Sequence, residues 1–438
     1  MKGIFDNLIN AFRLPDLRKK ILFTMLILGI YMVGGLVPAP GINREVFTSL
    51  VQDWGQLGGL MDIISGGGLY AATIFAMGIS PYINSSIIIQ LLTAALPPLE
   101  RLAKEGEEGR KKIQKIVRFT TVGLALLQAS VFCWATRSAM THYLPSWLNA
   151  ILIVATFTAG TCFVVFLGER INEKGIGNGI SLIIFAGIAT RLPDMARQLY
   201  NFALDVAGRF KNVVLGDTLG VLLFIGVALF SIAIIVFVVF IQNSERRVTV
   251  QYSKRVVGRK VYGGQNTYIP FKVNQSGVMP VIFTMSIMAL PSTIVSLFFS
   301  SSNNSVANFF RNMADQPVLY FTIQLFFIMA FVFFYSAITF NANEISNNLQ
   351  KNGGFIPGVR PGGPTRDYIQ KTASRLNWAD GIFLCLVVLV PSILGTITNM
   401  EGVWFAGTSV LILTGVANDF VQQIESQMVT HHYKGFLD

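Results

Sequence analysis

The sequence has no Asp, Glu, Lys or Arg from residue 69 to residue 99. An uncharged run of this length is typical of a membrane-spanning segment, but glycines, Pro81 and several polar side chains interrupt it. Such a broken segment is tolerated at membrane depth only where it lines a cavity or packs against protein. We therefore predict two pieces, a glycine-rich segment at 58–72 that is too short to cross, and a full span at 73–92. Together they indicate a membrane pore with a small element inside it.

Apolar runs of similar length recur along the rest of the chain. Of the 438 residues, 52% are hydrophobic and only 13% are charged, and the mean hydropathy is +0.56. These values lie far from the average of soluble globular proteins and are typical of an all-α polytopic membrane protein. We predict ten transmembrane helices, at about 21–37, 73–92, 119–136, 148–168, 180–190, 218–242, 273–299, 318–340, 381–397 and 403–420.

The basic residues predict how the chain is oriented. If the N-terminus is cytoplasmic, 27 of the 34 Lys and Arg residues fall in cytoplasmic segments. The positive-inside rule therefore places both termini in the cytoplasm. The net charge of +11 is then mostly a topology signal and does not indicate nucleic-acid binding.

The predicted spans hold almost no ionisable residue in their interiors, since Asp380 and Asp419 fall near span ends and Glu401 in a short outside turn. Ion-coupled transporters keep such residues at the midplane, which disfavours the alternative of a secondary solute transporter with a broken central helix. The stretch 175–179 lacks the lysine of a nucleotide-binding loop. We predict no enzymatic activity, no cofactor and no metal, and expect a partner to power any directed work.

Two cytoplasmic loops, 243–272 and 342–376, are longer than a connection requires. Alternation of Val248, Val250 and Tyr252 in the first predicts a strand pair with basic residues near its tip. Three prolines and five glycines in the second predict a compact non-helical loop that presents Arg360. The charges could serve only to anchor the topology, but the protruding basic surface favours a docking site.

Several motifs then carry a resemblance. The most specific are FAMGISPYI at 75–83, EGEEGR at 105–110, GER at 168–170 with GIGNGIS at 175–181, FIPGVRPG at 355–362 and GTS at 407–409. Over essentially its whole length the chain resembles the SecY family, whose members form the central subunit of the bacterial protein-conducting channel. This resemblance implies a passive pore for secretion of unfolded preproteins and for lateral insertion of membrane proteins.

The resemblance also implies the architecture. We expect an hourglass pore between two pseudo-symmetric five-helix halves, 1–205 and 206–438, although no internal repeat is evident in the sequence. Segment 58–72 would be a half-helix plug that closes the outer funnel. Its expected plug residues are Leu60, Met61, Ile63, Ile64, Gly66, Gly67, Gly68 and Leu69.

By the same resemblance, a ring of apolar side chains would form the constriction, although an isoleucine in a span usually faces lipid or the core. These residues are Ile79, Ile83, Ile180, Ile184, Ile282 and Ile412. Gln90 and Asn274 would hydrogen-bond across a lateral gate for signal sequences, with an ordinary interhelical contact as the alternative.

The family also implies partners. We expect two small membrane subunits, SecE and SecG, and a cytoplasmic face that receives either the SecA ATPase or a ribosome. Preproteins and membrane lipids complete the set, in the bacterial cytoplasmic membrane, with no nucleotide bound by the chain itself. The docking residues would be Lys254, Arg255, Arg259, Lys260 and Arg360.

Overall fold

The computed structural model describes residues 12–52, 62, 65–141, 145–209, 216–252, 255–257, 260–262, 266–298, 316–398 and 406–434. Helices dominate these residues, and apolar side chains cover much of their length. Before the first strand the helices are α1 Pro15–Gly34, α2 Arg44–Gln52, α3 Ser80–Ala95, α4 Pro97–Lys104, α5 Glu107–Ala135, α6 Ser146–Lys174, α7 Gly179–Arg209 and α8 Gly216–Gln242.

The second part of the chain combines helices with short strands. In order these are β1 Glu245–Tyr252, β2 Arg255–Val257, β3 Lys260–Tyr262, β4 Asn266–Lys272, α9 Met279–Phe298, α10 Pro317–Thr339, α11 Ala342–Lys351, β5 Gly354–Phe355, α12 Gly363–Thr398 and α13 Ala406–Lys434. Each of the ten predicted spans overlaps one long helix, so the ten-helix prediction is confirmed.

Four helical stretches are long and apolar enough, over the described residues, to cross a membrane alone. The pair α3 and α4, which is bent by 100° between Ala95 and Pro97, makes a fifth if the two helices are counted as one broken span. The four are Glu107–Ala135, Ser146–Lys174, Val318–Lys351 and Gly363–Ile393.

The second predicted span begins later than expected. Helix α3 starts at Ser80 rather than at Thr73, and residues 65–79 form a series of turns. Gly66, Gly67 and Gly78 have φ values of 69°, 89° and 51°, a left-handed conformation that glycine adopts readily and that ends a right-handed helix. The prediction of helix over 73–79 was therefore wrong.

The backbone of this turn segment is instead satisfied by neighbouring chain. Ile74 N–H donates to the Val37 carbonyl at 3.0 Å, and Ala39 N–H donates to the Ala72 carbonyl at 2.8 Å. Buried backbone groups must find such partners. The irregular segment is thus packed on protein, as its broken sequence predicts.

The predicted strand pair is confirmed. Strand β1 pairs antiparallel with β4, from Glu245 opposite Lys272 to Gln251 opposite Asn266. Strand β5 adds to the other edge of β1, and β2 pairs with β3. The compact non-helical loop is confined to 352–362, because α11 and α12 occupy the residues on both sides.

The helices before and after residue 210 pack against each other at several places. Helix α7 lies against α8, α7 contacts α13, and α3 contacts α9. The largest apolar cluster lies between them and draws buried residues from α1, α3, α6, α7, α9, α10 and α13. This cluster holds the candidate site.

Candidate functional site

Six isoleucines from four parts of the chain meet in the central apolar cluster. Ile79 and Ile83 lie at the start of α3, Ile184 in α7, Ile282 in α9 and Ile412 in α13, and each is at most 9% exposed. Ile180 in α7 is half-buried and packs against the same cluster. The structure thus brings together all six residues of the predicted ring.

Helix spacing explains how two helices each supply two members. Ile79 and Ile83, like Ile180 and Ile184, are four residues apart, a spacing that places side chains on one helix face. Branched apolar side chains offer no hydrogen bond to a passing solute or ion. The arrangement can therefore act as a water-excluding barrier.

A cavity of about 330 Å³ lies on one side of these isoleucines. Ile184, Ile282 and Ile412 form part of its wall, and the start of α7 and the chain between β4 and α9 form another part. The remaining wall mixes apolar and polar side chains. Its hydrophilic side chains include Asn178, Ser181, Lys272, Asn274, Gln275, Ser276, Asp419 and Gln423.

The glycine-rich segment lies on the other side of the ring, as positions along α7 show. Ser181 lines the cavity, Ile184 belongs to the ring, and the next turn, at Gly187, touches the backbone of Gly66. A Cβ on Gly66 would lie 2.7 Å from the Gly187 Cα, so only glycines permit this approach. The six isoleucines therefore lie between this cavity and the predicted plug segment.

The described part of the plug segment is residue 62 and residues 65–72. Residues 65–72 are turns rather than the expected half-helix, because Gly66 and Gly67 have positive φ. Leu69 is 1% exposed and packs with residues of α2, α5 and α6. The predicted plug residues Leu60, Met61, Ile63 and Ile64 lie outside the described residues.

Three residues outside the predicted set complete this region. Asp62, Arg191 and Gly187 join the plug segment to α7 through an ion pair and the glycine contact. Two features of the sequence could have identified these residues. Asp62 is the one charged residue in 58–72, and Ile180, Ile184, Gly187 and Arg191 recur at spacings of four, three and four.

Of the predicted lateral-gate residues, Gln90 lies on α3 and Asn274 lies in the chain that leads into α9, and no hydrogen bond joins the two side chains. Gln90 Nε2 donates to Ser86 Oγ of its own helix at 3.2 Å. Asn274 lies just before α9, is 8% exposed, and its Oδ1 has no hydrogen-bond partner among the described residues.

A buried carboxylate holds the chain that leads into α9. Asp380 of α12 is 0% exposed. Its Oδ2 accepts hydrogen bonds from Ser276 N at 3.1 Å and from Ser276 Oγ at 2.6 Å. Asp380, which the apolar pattern placed near a span end, thus lies inside the long helix α12 and fixes the start of another helix.

The predicted docking residues fall in two places. Arg255 and Lys260 belong to the hairpin of β2 and β3, whereas Lys254 and Arg259 lie outside the described residues. Arg360 is exposed in the turn before α12, and its carbonyl accepts from Thr365 Oγ1 at 2.8 Å. The hydrogen bond therefore holds the backbone of this turn, while the exposed guanidinium of Arg360 is accessible to a partner.

Comparison with known proteins gives a consistent result. The family model described as SecY matches residues 73–421. The protein translocase subunit SecY of Thermotoga maritima is 40% identical over 438 residues, which cover 98% of this chain and 96% of the relative.

Solved structures share the fold. One described as a protein-conducting channel has a TM-score of 0.64 and 17% identity, covering 94% of this chain and 93% of the other. Sec61 in the canine ribosome–channel complex has a TM-score of 0.59 and 16% identity over 94% and 93% of the two chains. On the family match and the identity to the bacterial relative, the chain belongs to the SecY family.

Proposed function

We propose that the six isoleucines are the constriction of a protein-conducting channel and that residues 58–72 are its plug. As a SecY-family member, the chain is a channel subunit of a protein translocase rather than an enzyme in its own right. The observation that carries the proposal is the position of the ring, between a cavity that holds hydrophilic side chains and a glycine-rich segment. A translocating chain would pass from the cavity through the ring and displace the plug.

The chemistry of the ring suits this role. Isoleucine side chains exclude water when they touch each other, which resists ion flow, and they bind no part of a polypeptide tightly. A pore that must pass every kind of side chain requires both properties. A secondary solute transporter is not favoured, because the ring offers no ligand for a solute or a coupling ion.

We place the exit to lipid at the contact between α3 and α9. Gln90 and Asn274 flank this seam without a hydrogen bond between them, so no polar contact of this pair has to break when the two helices separate. A hydrophobic signal sequence could therefore separate the two helices and enter the membrane. The halves 1–205 and 206–438 would move apart as two units around the α7 and α8 connection.

Orientation and partners form the remaining part of the proposal. The strands and the turn with Arg360 would lie on the cytoplasmic side with both termini, in the bacterial cytoplasmic membrane. SecE and SecG would cover lipid-facing helices, while SecA or a ribosome would bind Lys254, Arg255, Arg259, Lys260 and Arg360. Arginine suits this task because it binds carboxylate and phosphate with two parallel hydrogen bonds.

The decisive experiment reconstitutes the chain with SecE, SecG and SecA in vesicles and measures ATP-dependent protection of a secretory preprotein from external protease. Protection is expected. Absence of protection together with uptake of a small solute would refute the channel and support a transporter.

Docking is tested in the same assay with Arg360→Glu. Because Arg360 is exposed, the reversal should leave the fold intact and lower SecA-driven protection several-fold. Arg366→Glu, whose wild-type guanidinium pairs with the neighbouring Asp367, is the matched control and should have the smaller effect. Normal translocation by Arg360→Glu would remove this residue from the docking surface.

A further inference from the structure

We propose that Asp62 and Arg191 form a charge latch that holds the plug segment on helix α7 while the channel is closed. This inference rests on the proposed role of the plug and names the contact that regulates it. Its structural basis is a single cluster formed by the buried Asp62 and the partly buried Tyr70 and Arg191.

Asp62 is the centre of that cluster. Its side chain is 0% exposed, and its Oδ2 pairs with the guanidinium of Arg191. Its Oδ1 accepts a hydrogen bond from Tyr70 N at 2.8 Å. The Arg191 guanidinium also lies over the Tyr70 ring, 5.7 Å from its centroid, an arrangement that attracts a cation.

The backbone of Asp62 also takes part in the turn of the plug segment. Gly67 N–H donates to the Asp62 carbonyl at 2.9 Å, and Ser65 Oγ donates to the same carbonyl at 3.0 Å. Tyr31 of α1 donates to the Ser65 carbonyl at 3.4 Å. The charged side chain therefore belongs to a defined turn, and its position cannot change without moving the plug.

Helix α7 carries Arg191, the partner of Asp62, on the same face as the ring residue Ile184. Ile184, Gly187 and Arg191 are separated by three and four residues, which places them on one side of the helix. Ile184 joins the ring, Gly187 touches Gly66 of the plug, and Arg191 binds Asp62. The seal, the plug contact and the ion pair thus follow each other within about 11 Å, at 1.5 Å per residue.

The different exposure of the two partners explains how such a pair can release. The Arg191 side chain is 24% exposed while Asp62 is 0% exposed, so the pair lies at the edge of the buried region. When the plug leaves, water can hydrate both charges and offset the lost attraction. When the plug is seated, removal of the Arg191 charge leaves the Asp62 carboxylate buried without its cation, which is strongly unfavourable.

The test measures resting ion conductance of the complex with SecE and SecG in planar bilayers, without preprotein. Arg191→Gln and Asp62→Asn should each raise the conductance about ten-fold or more. The first leaves the buried Asp62 carboxylate without its cation when the plug is seated, and the second removes the charge that attracts Arg191 to the plug segment. The double variant Asp62→Asn/Arg191→Gln should leak less than either single variant. Arg191→Lys, which keeps the charge, should leak less than Arg191→Gln.

Two controls separate the latch from the plug and from folding. Deletion of residues 58–68 sets the leak of a channel without its plug, and Arg197→Gln changes an exposed arginine of the same helix and should stay at the wild-type level. If Arg191→Gln does not fold, as judged by protease resistance, the test uses Asp62→Asn and the double variant. Asp62→Asn should still raise the conductance, and the double variant should leak less.

The outcomes are distinguishable. Leak from the deletion but not from either single variant would overturn the latch and leave the plug. No leak from the deletion would overturn the proposed plug itself. Strictly additive effects in the double variant would show that the two charges act independently, which also overturns the latch.

Discussion

Helices α3 and α9, which meet at the proposed lateral exit, begin with the same six-residue pattern. Gly78-Ile-Ser-Pro-Tyr-Ile83 starts α3, and Gly277-Val-Met-Pro-Val-Ile282 starts α9. Both glycines have positive φ, 51° and 65°, and each proline is at the second helical position, where its missing N–H costs little. Both patterns place an isoleucine of the ring in the first helical turn.

The segments that precede the two patterns are held by different polar contacts. A buried carboxylate is present in both cases, but Asp62 binds the charged Arg191 whereas Asp380 accepts from neutral donors, among them the N–H and hydroxyl of Ser276. An ion pair at the edge of the buried region can separate and be hydrated. A carboxylate that binds backbone and hydroxyl donors in the interior has no such alternative, which indicates a detachable plug before α3 and a fixed anchor before α9.

The largest expected effect on conductance comes from adding a side chain where the plug segment lies closest to α7. A methyl group in Gly187→Ala would lie 2.8 Å from the Gly66 Cα, so the plug must move away. We expect a resting conductance about ten-fold or more above wild type, although alanine favours the helix itself by about 1 kcal/mol.

Gly123→Ala in α5 is the matched control for that substitution. A Cβ at Gly123 would meet nothing within 4 Å, so stability should rise slightly and conductance should not change. Equal conductance of Gly187→Ala and wild type would show that the plug does not rest on α7.

The anchor before α9 should behave as a stability element. Asp380→Ala leaves the N–H and hydroxyl of Ser276 without their acceptor, which should lower the free energy of unfolding by about 1–3 kcal/mol. Asp380→Asn keeps an acceptor oxygen and should cost less. Thermal unfolding in detergent measures both, and an increase of ion leak without loss of stability would contradict the fixed-anchor interpretation.

The shared pattern predicts equal roles for Ile83 and Ile282, the isoleucines at its last position in α3 and α9. Ile83→Asn and Ile282→Asn should each raise the resting conductance by a similar factor, below that of plug loss, because five apolar side chains remain in the ring. Conductance in planar bilayers measures this. A leak from only one of the two variants would show that the two helix starts are not equivalent.

The smallest expected effect concerns the seam itself. Asn274→Leu removes a buried oxygen that has no partner among the described residues, so the closed seam should gain stability and translocation should require a more hydrophobic signal sequence. Gln90→Leu should change this requirement less, since Gln90 bonds within its own helix. A series of signal sequences of graded hydrophobicity tests both, and relaxed selectivity in Asn274→Leu would contradict the closed-seam argument.

Hydropathy predicted the ten long helices because each apolar run is a local property of the sequence. The six ring residues came from motifs that resemble a family, and the structure gathers them in one cluster. Periodicity alone could not place the start of α3, because the positive φ of Gly78 depends on packing around it. The partnership of Asp62 with Arg191 joins residues far apart in the chain, and neither side chain signals the other.

The repeated pattern at 78–83 and 277–282 was visible in the sequence but too short to stand out as a repeat. Its meaning depends on the structure, where the first copy follows the plug and the second follows strand β4 on the cavity side. The two copies therefore run toward the ring from opposite sides. This supports the proposed pseudo-symmetry of the two halves.

Helix α7 carries a barrier residue, a backbone contact and a charged partner on one face, at Ile184, Gly187 and Arg191. A rigid helix turns all its side chains through the same angle. Any rotation of α7 that withdraws Ile184 from the pore would also turn Gly187 and Arg191 away from the plug. Widening of the proposed pore and release of the proposed plug would then follow from one rotation of α7. A state in which only one of the two changes has occurred would be unfavourable.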